Sequence, residues 1–380
     1  MREPEGIFFS CGEVSGDGYA ASLARALQGR GFNEPFFGMG GPLSLDAGAE
    51  IVRDSRELHL MGIGDVVSAI PRLLRLKKEL AGLIKSRNPR AVVLIDSPDF
   101  HLPLVRYLRK KGWKGPVICL IPPTVWAWRS GRVKSLRRFF DLCLPLFKFE
   151  HEYLKGAGVL SAWRGHPLAD DLRRPAPKAG GKRIALLPGS RQSEVFRLLP
   201  PLKECARLLG ERGYEPVFSI APGMPEGLKS RLREGLEGYK IWEGSGRDLM
   251  ASSLAVAGAS GTAAVEAMML GRFMAVLYKG SFTSWLAWRA LVKTPYISIP
   301  NLLAGQEVYP EFIQGRATGQ NAFLALLAYL EDGATGAKTD RLLEKARSAM
   351  GEAGAPDFWA ARILEQANLH ASSDRRETEE

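Results

Sequence analysis

Four short words in the chain combine acidic, hydroxyl or cationic side chains with glycine or proline, and each follows an apolar run. In IDSPDF (95–100), Asp96 ends the run RAVVLI. A carboxylate there is partly withdrawn from water, which raises its pKa and suits it to take a proton from a hydroxyl group. Asp99 has the makings of a helix cap, so Asp96 is the base candidate of the two; a structural Asp96 fits the spacing equally well. LPGSR (187–191) puts Ser190 and Arg191 at a helix start, where backbone amides and one guanidinium make an anion site able to grip a diphosphate. An ordinary strand-to-helix turn is the alternative, and no GKS or GKT closes the loop as a Walker loop requires. In ASGTAAVE (259–266), Ser260, Gly261 and Thr262 open a helix whose dipole favours negative charge. Glu266, one turn beyond Thr262, is suited to accept hydrogen bonds from ribose hydroxyls, or simply to sit exposed. GEVSGD (12–17) supplies glycines for a tight turn, with Ser15 and Asp17 either capping the helix or turned toward a ligand.

These words need elements to hold them. GIFFS reads as a short buried strand, and GYAASLARALQGRG after it as a helix closed by glycine. The alternation recurs in RAVVLID with HLPLVRYLRKKG, and again in KRIALLPG, SRQSEVFRLLPPLKECARLLGERG and EPVFSIAPG. Strands and helices of these lengths predict an α/β protein with parallel sheets covered on both faces. DDLRRPAPKAGGKR (170–183) interrupts both periodicities, so the boundary is placed near residue 172. The expected layout is two Rossmann-like domains facing a cleft, residues 1–172 and 173–337, then helices over 338–370 that can return to the first domain. Residues 371–380, ASSDRRETEE, carry no apolar pattern and are expected to be a frayed tail.

Composition narrows the function classes. Hydrophobic residues make up 46% and charged ones 24% of 380, enough apolar surface for folded domains. Against 41 acidic residues stand 52 basic ones, and the net charge of +11 attracts phosphate, anionic lipid or nucleic acid. Cys11, Cys119, Cys143 and Cys205 lie far apart without a CxxC pair, which argues against a disulfide framework or structural zinc and fits a reducing cytosol. The five histidines are scattered, so no metal is expected; His166 in GHPLAD fits an interdomain edge or a structural place. No Gly-x-Ser-x-Gly elbow supports serine hydrolysis. The run IFFSC is too short for a signal peptide core, and AVVLI and VICLI are far shorter than the roughly 20 apolar residues of a spanning helix.

Taken in order, the words resemble the lipid-A-disaccharide synthase family. They are GEVSGD (12–17), MGIGDVV (61–67), IDSPDF (95–100), PPTVWAWRSGRV (122–133), GHPLAD (165–170), LLPGSR with EV (186–195), SGTAAVE (260–266) and LVKTPYISIPNLLAGQEVYPEFIQ (291–314). The resemblance implies a GT-B type fold and a metal-independent, inverting glycosyltransferase without cofactor. It would join UDP-2,3-diacylglucosamine to 2,3-diacylglucosamine 1-phosphate, giving the disaccharide 1-phosphate and UDP. It makes Asp96 the catalytic residue, links Arg191, Glu266 and Asn301 to the UDP donor, with Ser190, Ser260, Gly261 and Thr262 in the same loops, and sets Glu13, Ser15 and Asp17 beside the acceptor. Elementary chemistry agrees: a sugar activated by UDP needs a base for the incoming hydroxyl and positive groups for the departing diphosphate.

Acylated substrates need an apolar landing surface. MGIGDVVSAIPRLLRLKKEL (61–80) joins an apolar stretch to a basic helix, as interfacial segments do, and also suits a helix packed on its own sheet. FTSWLAWRALVK (282–293) offers Trp285, Trp288, Arg289 and Lys293 to a headgroup region or to a homodimer contact. The expected location is the cytoplasm, peripherally on the inner face of the membrane. A UDP-N-acetylglucosamine epimerase or a transferase acting on a lipid-linked peptidoglycan precursor would share the diphosphate loops. Nucleic-acid binding would need a basic stripe, whereas Lys and Arg are spread through amphipathic helices.

Overall fold

The computed structural model describes residues 5–12, 14–58, 63–172, 176, 180–280 and 294–379, with side chains for all of these except 14, 63–69 and 371–379. The chain forms two compact units, residues 1–167 with 351–380, and residues 168–350.

The first unit is built on six strands: β1 (Ile7–Cys11), β2 (Phe36–Gly40), β3 (Glu50–Asp54), β4 (Ala91–Ile95), β5 (Val117–Leu120) and β6 (Leu142–Leu144). All pair in parallel, in the order 3-2-1-4-5-6. Central β1 (IFFSC) and β4 (AVVLI) are buried at every position, because helices cover both faces and leave no side facing water. The edge strand β3 (EIVRD) is half exposed and charged, which discourages pairing with another chain. Leu76, Leu80 and Ile84 of helix Ile63–Arg87, and Leu104, Val105 and Leu108 of helix Pro98–Lys110, pack with Phe8, Val92 and Leu94 in one core.

The second unit repeats the plan with β7 (Arg183–Leu187), β8 (Glu215–Ile220), β9 (Lys240–Glu243), β10 (Ala255–Ala259), β11 (Phe273–Tyr278) and β12 (Glu311–Ile313). Its parallel order, β12-β11-β10-β7-β8-β9, is the same succession read from the other edge. Helix Gln192–Glu211 buries Val195, Leu198, Leu202, Cys205 and Leu209 at helical spacing.

The chain ends differ from the sequence expectation. The units divide between residues 167 and 168 rather than after 172. Helices Gly319–Glu331 and Gly333–Ser348 stay in the second unit, so residues 338–350 do not return. The return begins at Gly351, which bridges Gly165, and Glu352 N donates to Arg164 O at 3.1 Å. Helix Ala355–Glu379 then packs on helix Val14–Gly29, with Trp359 edge-on to Tyr19 at 6.1 Å and the Arg30 fork closed on Asp357 at 2.7 and 2.6 Å. Backbone helix continues through residues 371–379, where the sequence suggests a frayed tail: a helix needs no apolar stripe once an anchored stretch has already nucleated it. All four cysteines are buried free thiols, and no described helix is long and apolar enough to cross a membrane.

Candidate active site

In an open parallel sheet, ligands bind beyond the carboxyl ends of the two strands where the order reverses. In the first unit these strands are β1 and β4, and each carries one of the predicted words. Asp96 follows β4 with φ +52°, and Ser97 with φ +43°. Left-handed non-glycine residues are uncommon and persist only where their surroundings fix them. Here Asp96 N donates to Leu120 O at 3.0 Å, and Asp96 Oδ1 accepts from the Ser97 hydroxyl at 2.5 Å. Gly16 approaches so closely that a Cβ there would stand 2.4 Å from Asp96 Oδ2, so helix Val14–Gly29 begins against the carboxylate.

His101, which sequence reasoning missed, holds Asp96 from behind. Its Nδ1 lies 2.8 Å from Asp96 O and its Nε2 lies 2.8 Å from Ser10 Oγ. A carbonyl only accepts, so Nδ1 carries the hydrogen and Nε2 accepts from Ser10. Burial lowers the ring's pKa to about 4, outweighing the bond to the Asp96 carbonyl, and keeps it neutral at pH 7.

Asp17 belongs to the scaffold. It is buried: Oδ1 accepts from Gly41 N (2.8 Å), Ser44 N (3.2 Å) and Ser44 Oγ (2.5 Å), and Oδ2 accepts from Leu43 N (2.9 Å). This carboxylate ties its helix to the short helix Pro42–Asp46 and has no surface to offer a ligand. Ser15 is exposed in the first turn, and Glu13 lies outside the described residues.

Residues 121–133 follow β5 and carry chemistry that their spacing did not reveal. Trp126 Nε1 donates to Glu150 Oε1 at 2.9 Å. Leu146 N and Phe147 N donate to Glu150 Oε2 at 3.2 and 3.3 Å, yet burial still raises this carboxyl to about 7. Trp128 supports Arg129 on its ring face at 4.2 Å. Arg129 Nη1 donates to Asp99 Oδ1 at 3.0 Å, and Arg132 Nη2 donates to the same oxygen. Asp99 is thus engaged by two arginines of the neighbouring loop, while Ser97 takes the cap position. The signal available in the sequence was the alternation of Trp and Arg in VWAWRSGR, which favours cation–π pairs.

In the second unit the reversal lies between β7 and β10, and the loops after them meet: a Cβ on Gly189 would lie 3.5 Å from that of Ala259. Gly261 has φ +139° and caps helix Thr262–Met269 without a side-chain hydrogen bond. The amides of Thr262 and Ala263 therefore have no partner within the helix, the condition for holding an anion. Ser190, Thr262 and Arg191 are exposed, with Ser260 half-buried. Arg191 heads helix Gln192–Glu211 and lies 3.6 Å from Glu194, an ion pair at the surface that water screens.

Glu266 is neither simply exposed nor unengaged: it is partly buried, and Arg247 Nη2 donates to it at 3.2 Å while Nη1 reaches Asp171 at 3.3 Å. Asn301 lies in helix Ile299–Ala304, which packs against helix Thr262–Met269. It is fully buried, its Nδ2 donates to Tyr309 O and Glu311 Oε1, and its Oδ1 accepts from Val308 N and Tyr309 N, all at 2.8 Å. The amide's hydrogen-bonding capacity is spent on shaping the turn before edge strand β12. Among the described residues, no three His, Cys or carboxylate side chains gather as a metal site would require.

Two parallel sheets of one order, each with loops at its reversal point, define the two-domain Rossmann-like GT-B class. A putative UDP-N-acetylglucosamine 2-epimerase from Listeria monocytogenes has this fold, with a TM-score of 0.63 and 14% identity over 96% of this chain and 95% of that one. A calicheamicin glycosyltransferase matches with 0.60 and 15% over 98% and 100%. Residues 7–356 match the profile of the family described as lipid-A-disaccharide synthetase. The lipid-A-disaccharide synthase of Myxococcus xanthus (strain DK1622) is 35% identical over 378 residues, 96% of this chain and 98% of that protein. That of Alkalilimnicola ehrlichii is 38% identical over 340 residues, 84% and 88% of the two chains. The chain belongs to the lipid-A-disaccharide synthase family and is a glycosyltransferase of lipid A biosynthesis.

Proposed function

We propose that the protein transfers the 2,3-diacylglucosamine unit of its UDP-linked donor to 2,3-diacylglucosamine 1-phosphate, releasing UDP and the disaccharide 1-phosphate. Asp96 accepts the proton of the attacking acceptor hydroxyl as the bond to the anomeric carbon forms, and the electron pair of the broken bond leaves on the diphosphate. One displacement inverts the anomeric centre and needs no covalent intermediate. The departing charge is met by Arg191 and the helix-start amides of Thr262 and Ala263, rather than by a metal ion. Glu266, held by Arg247, is oriented toward the donor's ribose, while Asn301 and Asp17 act only by shaping their loops.

The observation that carries this reading is that Asp96 and the anion-accepting loops each stand at the reversal point of their own sheet. Incubation with both acylated substrates should release UDP. Asp96→Asn keeps the shape and loses the proton acceptor, so turnover should fall roughly 100-fold or more with UDP affinity little changed. Near-wild-type turnover in that variant would remove Asp96 from the role.

The enzyme works, in this reading, as a peripheral protein on the inner face of the cytoplasmic membrane, where acylated substrates reside. Supporting it, helix Ile63–Arg87 exposes Ile70 and Leu74 one turn apart, beside exposed Arg72, Arg75 and Lys78, and its other face is buried through Leu76 and Leu80. The second candidate surface, 282–293, lies outside the described residues.

A further inference from the structure

Two guanidinium groups converge on one carboxylate oxygen in the first unit, those of Arg129 and Arg132 on Asp99 Oδ1. One carboxylate neutralises only one of the two charges, so the cluster keeps a net positive charge. Among the described residues neither arginine has another carboxylate partner. The exposures are unequal: the Arg132 side chain is 17% exposed and Asp99 is 74% exposed. Arg132 is therefore built into the fold, Arg129 is half exposed at 48%, and the anion sits furthest outside, in ion pairs that water and salt weaken. Trp128 fixes the cations' direction, with Arg129 4.2 Å and Arg132 6.0 Å from its ring centre, and its Nε1 is anchored on Thr124 Oγ1 at 3.1 Å. Arg129 also holds a left-handed backbone, φ +48°, a strained conformation of the kind kept where a side chain must be aimed. Asp99 lies in the first turn of the helix that follows Asp96, so an anion that displaced Asp99 would be held at the strand-to-helix turn that carries Asp96.

We propose that Arg129 and Arg132 form the subsite for the phosphate monoester of the acceptor sugar, and that Asp99 is the internal anion which this phosphate displaces. The proposal rests on the acceptor reading given above. Two planar forks match three phosphate oxygens better than they match one carboxylate oxygen, and the phosphate's second negative charge answers the cluster's unpaired positive one. The subsite makes the phosphate a recognition handle, so that a dephosphorylated acceptor is discriminated against in binding.

The test compares binding of 2,3-diacylglucosamine 1-phosphate and of 2,3-diacylglucosamine, both in detergent micelles, by calorimetry on the full chain. The wild type should prefer the phosphorylated sugar about 10-fold or more. Arg129→Gln with Arg132→Gln should abolish that preference without changing UDP affinity or the thermal midpoint. Arg129→Lys with Arg132→Lys, which keeps charge but not the fork, should fall between. Asp99→Asn should tighten binding of the phosphorylated sugar, whereas a purely structural clamp predicts that it loosens. Equal binding of the two sugars by the wild type would overturn the proposal, as would undiminished preference in the double variant. Phosphatidylglycerol vesicles and inorganic phosphate separate the sources of the anion. Loss of vesicle binding with sugar preference intact would assign the pair to the membrane, and inorganic phosphate displacing the sugar only from the wild type would support the subsite. UDP release by the wild type is scored separately: its absence refutes the transferase reading, while the binding comparison still decides the subsite.

Discussion

His101 shows how one buried side chain sets the geometry of a neighbouring functional group. Its tautomer is fixed from both sides, by Asp96 O and by Ser10 Oγ, and through the former it holds the left-handed turn that carries the Asp96 carboxylate. Its pKa falls from 6.5 to about 4 because burial penalises the charged ring. On acidification the unfolded chain takes up this proton first, so the histidine's contribution is full above about 6.5 and is lost as pH falls toward 4. His101→Asn keeps a donor toward Asp96 O and cannot ionise. Relative to that variant the wild type should lose up to about 1.4 kcal/mol per pH unit within this window, read from denaturant unfolding. A stability difference that stays constant from pH 7 to pH 4 would refute the neutral, buried state. Glu150 has the opposite sign: its raised pKa favours the folded state at low pH, and that share is lost as pH rises from 4.5 through about 7. The comparison with a His101 variant cancels it.

Helix Ile63–Arg87 divides its described faces between core and surface. Leu76, Leu80 and Ile84 face the sheet, while Ile70 and Leu74 are each 47% exposed. Not every basic residue beside them is equally available. Lys77 lies over the Tyr107 ring at 5.3 Å and Arg72 donates to Glu57 O at 3.0 Å, which leaves Arg75 and Lys78 as exposed cations of this stretch with no such tie among the described residues. Ile70→Ser with Leu74→Ser should weaken binding to anionic vesicles about 10-fold or more in high salt, where the apolar contribution dominates. Arg75→Glu with Lys78→Glu should instead weaken it chiefly in low salt. Flotation at the two salt concentrations distinguishes them, and equal vesicle binding by both variants and the wild type would take the membrane contact away from this helix. Neither pair should shift the thermal midpoint, because surface substitutions away from buried networks change stability little.

At the scale of the molecule, the first unit is discontinuous in sequence and is completed only when the chain returns at Gly351. Trp359 is 2% exposed and packs against Tyr19 of the first helix, so Trp359→Ala opens a cavity in the first unit alone. It should cost about 3 to 5 kcal/mol in the unfolding of that unit. UDP affinity, proposed to rest on the second unit, should remain near that of the wild type by calorimetry. Parallel loss of UDP affinity would mean that the donor loops depend on the first unit for their shape.

Local patterns in the chain were enough to specify the alternation of strand, loop and helix, the parallel character of the sheets and the loops on which Asp96, Arg191 and Ser260–Thr262 stand. Buried parallel strands are continuous apolar runs and helices carry a 3.6-residue period, and both signals arise between near neighbours in the chain. Tertiary structure decided which polar groups those loops have left to offer. GEVSGD leaves Asp17 to cap its helix or to face a ligand, yet Asp17 is consumed by amides of residues 41–44. The match at Asn301 suggests a donor contact, yet its amide closes on Val308, Tyr309 and Glu311. Asp99 looks like a cap, yet it meets two arginines some thirty positions later. A carboxylate or amide is satisfied by whichever donors the fold brings within about 3 Å, and donors so remote in sequence leave no periodicity behind. The return of the last helix to the first unit was undetermined for the same reason: an apolar stripe states that a helix must be covered, and only the folded chain supplies the surface that covers it.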